Sequence, residues 1–534
     1  MDFDYVIIGA GSAGCVLANR LSADPSVRVC LVEAGPVDRS PLIHTPAGII
    51  GILPTRHVNW AFETVPQPGL KGRLGYQPRG KTLGGSSAIN AMIYIRGHRT
   101  DYDDWAALGN PDWSYDGVLP WFRRSEDYFG GADTYHGAGG ELTVSALDAH
   151  PATHAFIEAG RKSGHAVNAD FNGADQEGVG HYHVTIRNGQ RCSASVAFLH
   201  PLRDKRPNLT VLTGGHATRL ILRSNTAEGV TVRVKGRDVE LHARRETIVA
   251  AGAFGTPQLL QLSGIGDEAD LRPHGIAVQH ALPGVGKGLI DHPDYILPFK
   301  SPDKSLMGMS LQGVAAMTKA FFEYRKSHTG LLASNFGEAG AFLRTDPTLS
   351  RPDVQLHWVT GIVDNHNRTR HAGHGMSCHV CVLRPKSRGT VGLNSANPLA
   401  PPRIDPNFLS NDDDVTTLLK GYKLSREIMH AQPLARYAGR ELYVKGVSSD
   451  DQLVDLLRRR TDSIYHPVGT CRMGSDDMAV VDQRLRVRGM ERLRVVDASI
   501  MPTLIGGNTN APSIMIGEKG AAMIAEDWQG RAAA

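Results

Sequence analysis

"YVIIGAGSAGCVLANRL", residues 5–21, runs through Tyr5–Ile8, breaks at glycines and resumes with apolar residues at helical spacing. Tyr5–Ile8 reads as a strand and Gly9–Gly14 as a turn. Residues 13–21 read as a helix with Ala13, Val16, Leu17 and Leu21 on one face. The next stretch, "VRVCLVE" at 27–33, is β-branched and nearly continuously apolar, as a buried parallel strand must be. Strand, turn, helix and strand make a βαβ unit, the start of an α/β fold. Gly9, Gly11 and Gly14 have the G-x-G-x-x-G spacing, and Glu33 ends the second strand. In that context the glycines serve a tight turn and a close backbone approach to a pyrophosphate. The helix N-terminus offers free N–H groups, and the acidic residue accepts from a ribose hydroxyl. A dinucleotide site is expected, and the motif alone does not separate FAD from NAD.

Two further glycine segments extend the site. "RGKTLGGSSAINAMIYIRGH", 79–98, gathers Gly80, Gly84, Gly85, Ser86 and Ser87, a loop able to lay backbone amides against phosphate or a planar ring. "GAFGTPQLLQLSGIG", 252–266, reads as a short helix begun by Thr256 as N-cap and Pro257 at the first position. In "IYHPVGTCRMG", 464–474, His466 stands directly before Pro467, which pushes it toward an extended or turn conformation. Held on such a loop, it is a candidate base, ligand or core histidine.

Composition excludes several classes. A net charge of +4 dispersed over 534 residues gives no nucleic-acid footprint. Six cysteines make no disulfide scaffold. "CHVC" at 378–381 has metal-like spacing but lies in a strand-like run, where residues three apart face opposite ways, so a structural strand is expected. His366, His371 and His374 read as solvent-facing residues of a polar loop, and "RRR" at 458–460 as a solvated helix end. The N-terminus enters a strand without a leader, and no apolar run approaches the roughly 18 residues of a membrane span. A cytoplasmic location is expected. "PAGIIGIL" at 46–53 and "LMGMSLQGVAAMTKAFFEY" at 306–324 have the apolar content to cover a greasy pocket or meet a membrane surface peripherally.

The two glycine segments at 79–98 and 252–266 resemble the signature segments of the glucose–methanol–choline (GMC) oxidoreductases. "PGVGKGLIDHP" at 283–293, "YHPVGTCRMG" and "VVDASIMPTLIGGNTNAPSIMIGEK" resemble the family too, in the same order. The resemblance implies an α/β chain with a Rossmann-like FAD-binding domain (1–155, 200–300 and 460–534). A substrate domain on an antiparallel sheet (156–199 and 301–459) completes it. It implies FAD-dependent oxidation of a primary alcohol, with His466 as the base that takes the hydroxyl proton and Asn508 holding the substrate oxygen. Asn90 and Met92 are implied beside the flavin, Asp497 and Ala498 near the pyrophosphate and ribityl chain, Ala217 at the adenine, and Asn510 near Asn508, while Gly84 and Ser86 of the glycine loop are expected to bind the cofactor. Relatives that attach FAD covalently do so through a histidine just before the asparagine at position 90. Ile89 stands there in this chain, so non-covalent FAD is expected. The expected electron acceptor is a quinone or another acceptor; the alternatives are O₂, making an oxidase, and choline as the substrate. A nicotinamide-dependent dehydrogenase is disfavoured by the extra glycine segments, and a non-catalytic flavoprotein by the presence of both His466 and Asn508.

Overall fold

A computed structural model describes residues 1–533. Its first sheet runs Leu209–Thr213, Val29–Glu33, Asp2–Ile8, Arg237–Val249, Thr226–Val234, Gly215–Arg223, with Leu493–Val495 also paired to Arg237–Val249. The pairs around Asp2–Ile8 are parallel, Val6 facing both Cys30 and Thr247. From Phe3 onward this strand is buried, as is all of Val29–Glu33, which explains the apolar runs Tyr5–Ile8 and Val29–Val32. The 13-residue strand Arg237–Val249 serves three partners, Thr226–Val234, Asp2–Ile8 and Leu493–Val495. Its first half closes an antiparallel meander with Thr226–Val234, and its last residues join the parallel core.

The helix Ser12–Leu21 packs against the C-terminal helix Asn510–Ala533. Gly517 makes the approach possible, because a Cβ there would lie 2.9 Å from the Ala13 carbonyl. The chain's two ends thus meet over one face of the sheet, and Ser12 Oγ donates to Asn510 Oδ1 at 2.7 Å.

The second sheet runs Asp462–Ser463, Pro293–Ser301, Gly373–Val382, Val354–Val359, Ala339–Leu343, Gly178–His181, antiparallel throughout. Strand alternation separates its two faces. Val354, Leu356 and Trp358, with Met376, Cys378 and Val380, enter a core completed by the helices Pro151–Lys162 and Asp412–His430. His357, Val359 and His379 point the other way and line a cavity between the sheets.

Several expectations change. The strand Pro293–Ser301 pairs with the second sheet, and helix Pro151–Lys162 packs in its core, so both changeovers come earlier than the expected boundaries at 300 and 155. Strand Asp462–Ser463 likewise joins the second sheet, although 460–534 was assigned to the first unit. The helix expected from Thr256 begins at Gly252. Thr256 lies inside it and donates to Asp497 Oδ2 at 2.6 Å. Pro257 removes the helical bond to the Ala253 carbonyl, and the Thr470 hydroxyl supplies it instead at 2.7 Å. "RRR" ends its helix as expected but is solvated only at Arg459: Arg458 donates to the Gly69 and Leu409 carbonyls, and Arg460 pairs with Asp364 and lies 3.5 Å over the Tyr443 ring. His366 and His374 are buried and His371 half-buried. His366 holds Asp462 and the Tyr465 hydroxyl, His371 holds Asp364, and His374 bonds the Leu306 carbonyl. Cys378 and Cys381 sit on opposite faces of their strand as expected, both buried, and no metal-binding cluster occurs among the described residues.

Candidate active site

A cavity of about 800 Å³ runs from the glycine turn of the first sheet to the histidine-bearing face of the second. At the first end the three glycines differ in what they face. Gly9 has φ +103°, which a tight left-handed turn requires. A Cβ on Gly14 would lie 1.9 Å from the Gly9 carbonyl oxygen, so this glycine brings helix against turn. A Cβ on Gly11 would meet nothing within 4 Å and would project into the open cavity. The second glycine loop lies directly on this turn. Gly84 donates its N–H to the Ala10 carbonyl at 2.8 Å, and a Cβ on Gly85 would come 2.7 Å from the Gly11 Cα.

Glu33 lines the cavity and accepts from the N–H groups of Ala10 (3.1 Å) and Gly35 (2.7 Å). Burial pushes its carboxyl up to about 7 despite those bonds. Asp497 accepts from Gly252 N–H (2.8 Å), the Thr256 hydroxyl (2.6 Å) and Ser499 N–H (2.8 Å), tying two helix starts to the cavity wall. Its carboxyl is also raised by burial. Asn90 is set by Arg191, whose guanidinium donates to the Asn90 carbonyl (2.6 Å) and to Oδ1 (2.8 Å), while Met92 N–H donates to the same Oδ1 at 3.0 Å. With Oδ1 so engaged, the Asn90 amide nitrogen is left to the cavity it lines. Met92 holds φ +59°, a conformation costly for a non-glycine residue and found at ligand sites.

At the second end His466 is buried at the cavity wall, its ring fixed on two sides. Its Nδ1 lies 3.0 Å from Nδ1 of His292, and its Nε2 lies 3.2 Å from Nδ2 of Asn508. Asn508 Oδ1 accepts from Gln355 Nε2 at 3.1 Å, which orients the amide. The backbone beneath is held by Asp291, whose Oδ1 accepts from the N–H of both His292 and His466 at 2.9 Å. Ser463 Oγ donates to the other carboxylate oxygen at 2.5 Å. Burial, with the neighbouring His292, His357 and Arg79, holds the His466 pKa well below its usual value, so the ring is neutral at pH 7. His357 lines the same wall, pushed down to about 3 by burial. A site that keeps an unprotonated imidazole beside an amide can take a proton from a hydroxyl and hold the oxygen it leaves.

The chain matches the GMC oxidoreductase family at residues 3–294 and again at 385–517. It is 48% identical over 528 residues to an alcohol dehydrogenase (acceptor) of Pseudomonas putida, covering 98% of this chain and 95% of that one. The chain belongs to the GMC oxidoreductases. It is a flavin-dependent oxidoreductase of the alcohol and choline dehydrogenase kind. Human mitochondrial choline dehydrogenase is 41% identical over 534 residues, with 98% of this chain and 90% of that one covered. The solved formate oxidase of Aspergillus oryzae, studied for its FAD modification, superposes with a TM-score of 0.92 at 28% identity, covering 99% of each chain.

GMC oxidoreductases are FAD-dependent, and the residues of this cavity fit that group. The Gly11 space that a Cβ would fill, the Asn90 amide turned inward by Arg191 and the strained Met92 form a cradle along the cavity. Of the residues expected from the sequence, Gly9, Gly11, Glu33, Ser86, Asn90, Met92, Ala217, Asp497, Ala498, His466, Asn508 and Asn510 all line it. Gly14 and Gly84 stand behind the wall, as packing positions. Sequence reasoning missed His292, His357, Gln355, Arg191 and the stacked pair Trp60 and Phe62, whose rings lie 5.5 Å apart on the cavity wall. His292, in "DHP", repeats the His-Pro pattern of His466, a signal that was legible.

Proposed function

We propose that this protein oxidises a neutral primary alcohol to the aldehyde and passes the electrons to a quinone or other acceptor. The observation that carries the reading is the pair of His466 Nε2 and Asn508 Nδ2, 3.2 Å apart on the cavity wall. FAD, when bound, supplies the hydride acceptor. His466 takes the hydroxyl proton, and the Asn508 amide, braced by Gln355, donates to the substrate oxygen and fixes the carbon bearing it. Asp291 holds the loop that carries His466. The parallel-sheet unit binds FAD, through Gly9, Gly11, Glu33, Ser86, Asn90, Met92, Ala217, Asp497, Ala498 and Asn510, and the antiparallel sheet presents the substrate wall.

FAD is held without a covalent link. Ile89 lines the cavity, packed with Ile43, Ile52, Val58 and Ala88, and offers no nucleophile. A neutral alcohol is favoured over choline because the buried carboxylates around the cavity are committed. Glu33 and Asp497, the buried carboxylates that line it, accept backbone and hydroxyl donors. Peripheral membrane contact is supported by helix Leu311–Ser327, which follows the cavity-lining Met307 and leaves Leu311, Val314 and Phe322 exposed. No helix of the described residues is long and apolar enough to cross a membrane.

The test is an anaerobic visible spectrum before and after a medium-chain primary alcohol. Bleaching that recovers slowly in air and fast with a quinone analogue is the expected result. Fast recovery in air with peroxide makes the protein an oxidase. A flavin band that does not bleach removes this substrate class, and no flavin band after reconstitution with FAD removes the function.

A further inference from the structure

We propose that His292 is a positioning residue that sets the tautomer of His466 and so makes its cavity-facing nitrogen the base. The inference rests on the reading of His466 as the base and follows from the direction each hydrogen bond must take. His292 Nε2 lies 3.1 Å from the Leu383 carbonyl, and a carbonyl only accepts, so the proton of this ring sits on Nε2. His292 is fully buried, and burial outweighs the carbonyls of Leu383 and Ile505 to push its pKa down to about 3. The ring is therefore neutral and its Nδ1 is a lone pair. The 3.0 Å contact between the two Nδ1 atoms then has one solution, with His466 Nδ1–H as donor. One proton on a neutral imidazole leaves Nε2 of His466 bare. The other side agrees: Gln355 donates to Asn508 Oδ1, so it is the Asn508 NH₂ that faces His466 Nε2 and donates to it across 3.2 Å.

The order of donors is Gln355 to Asn508, Asn508 to His466, His466 to His292, and His292 to the Leu383 carbonyl. Each member is fixed by the next, and the last is backbone. When an alcohol enters, its O–H bond breaks and an N–H bond forms at His466 Nε2. The oxygen keeps the electron pair and takes over the Asn508 donor; FAD, held by the cavity residues named above, would supply the acceptor for the hydride of the carbon. His292 receives no proton in this step. A carboxylate in its place would raise the His466 pKa; a neutral imidazole fixes the tautomer and leaves the base unprotonated at neutral pH.

The test compares holoenzyme with His292→Leu, His292→Gln and His466→Ala. Gln at 292 places an amide oxygen toward His466 Nδ1 and an amide N–H toward Leu383, so it rescues the tautomer; Leu does neither. The expected result is a kcat loss of about 100-fold or more for His292→Leu with KM within a few-fold, and kcat within about tenfold for His292→Gln. Independently of turnover, ring-¹⁵N histidine spectra of the resting wild-type holoenzyme, assigned against His466→Ala, should show His466 protonated at Nδ1 and bare at Nε2. A proton on His466 Nε2 overturns the proposal, as does wild-type kcat in His292→Leu. If His292→Leu does not fold, the spectrum of the wild type still decides. Full turnover in His466→Ala defeats the base reading itself; loss there with wild-type turnover in His292→Leu defeats only the role of His292.

Discussion

The glycine turn allows a substitution experiment that separates what the fold needs from what the ligand needs. Gly14→Ala puts a methyl 1.9 Å from the Gly9 carbonyl oxygen and 3.0 Å from its carbon, where real Cβ atoms essentially never come within 3.0 Å of a neighbour. Helix Ser12–Leu21 must withdraw by about 1 Å or more from a backbone turn that cannot yield. The Ala10 N–H bond to Glu33 and the Ser12 bond to Asn510 are strained with it. Overpacking of this kind costs about 1–3 kcal/mol, and the rigid partner places Gly14→Ala at the upper end. Gly11→Ala is the contrast. At φ −79° and ψ −163° any residue fits, and its Cβ meets no protein atom within 4 Å. The apoprotein should therefore not register it. The methyl instead occupies the space where a pyrophosphate needs backbone contact, and FAD affinity should fall at least tenfold, about 1.4 kcal/mol. Thermal unfolding without FAD reads the first effect, and FAD fluorescence titration the second. The expected pattern is a lower apoprotein Tm for Gly14→Ala only, and a weaker FAD Kd with unchanged apoprotein Tm for Gly11→Ala. Wild-type FAD affinity in Gly11→Ala would falsify the placement of the phosphates at this turn, and an unchanged Tm in Gly14→Ala would refute the packing argument.

Three further outcomes are expected. His466→Ala should retain FAD and lose about 10²–10⁴ in kcat, the usual contribution of a general base; comparable turnover removes the histidine from the mechanism. Because burial, His292, His357 and Arg79 all depress the His466 pKa, the base stays unprotonated as pH falls through 6.5. In wild type, kcat/KM should then be flat from pH 8 to below 6.5, and an inflection at or above 6.5 counts against this environment. Vesicles of anionic phospholipid should co-sediment the wild type, with Leu311→Ser/Phe322→Ser reducing binding tenfold or more. Those side chains are 92% and 66% exposed on a helix that also carries Lys319, Arg325 and Lys326, and each buried apolar side chain contributes about 1.5–3 kcal/mol. Equal sedimentation of both proteins rules this face out.

What could be read from the sequence follows the range of the interactions involved. Gly9, Gly11 and Gly14 were legible because a turn, a cradle and a helix contact are made within six residues, and strand burial wrote itself into the unbroken apolar run at 29–32. The strand containing "CHVC" was legible because side-chain alternation is local. The helix at 252 was misjudged for the opposite reason. Pro257 looks like a start until Thr470, more than 200 positions on, is seen to take over the bond it forfeits. The loop histidines were misjudged likewise. His366, His371 and His374 stand in a polar sequence, yet His366 and His374 are bound to groups from other parts of the fold and His371 to Asp364 of its own loop, and polar partners remove the reason for a histidine to stay in water.

The candidate site divides along the same line. His466 and Asn508 stand in motifs that announce them, while the groups that direct them are spread through the chain. Gln355 reaches Asn508 because it alternates with the core residues Val354 and Leu356 on one strand, and so faces away from them. His292 reaches His466 because strand Pro293–Ser301 pairs at its start with Asp462–Ser463, which brings two His-Pro turns together over one carboxylate, Asp291. Neither contact can be read from its own segment, since each joins groups more than 150 residues apart, one through the pairing of Pro293–Ser301 with Asp462–Ser463 and the other through the loop that carries Asn508. In the proposed mechanism a motif therefore marks where the proton is taken. The directions of the hydrogen bonds, which only the fold assembles, are what the proposal uses to choose the nitrogen.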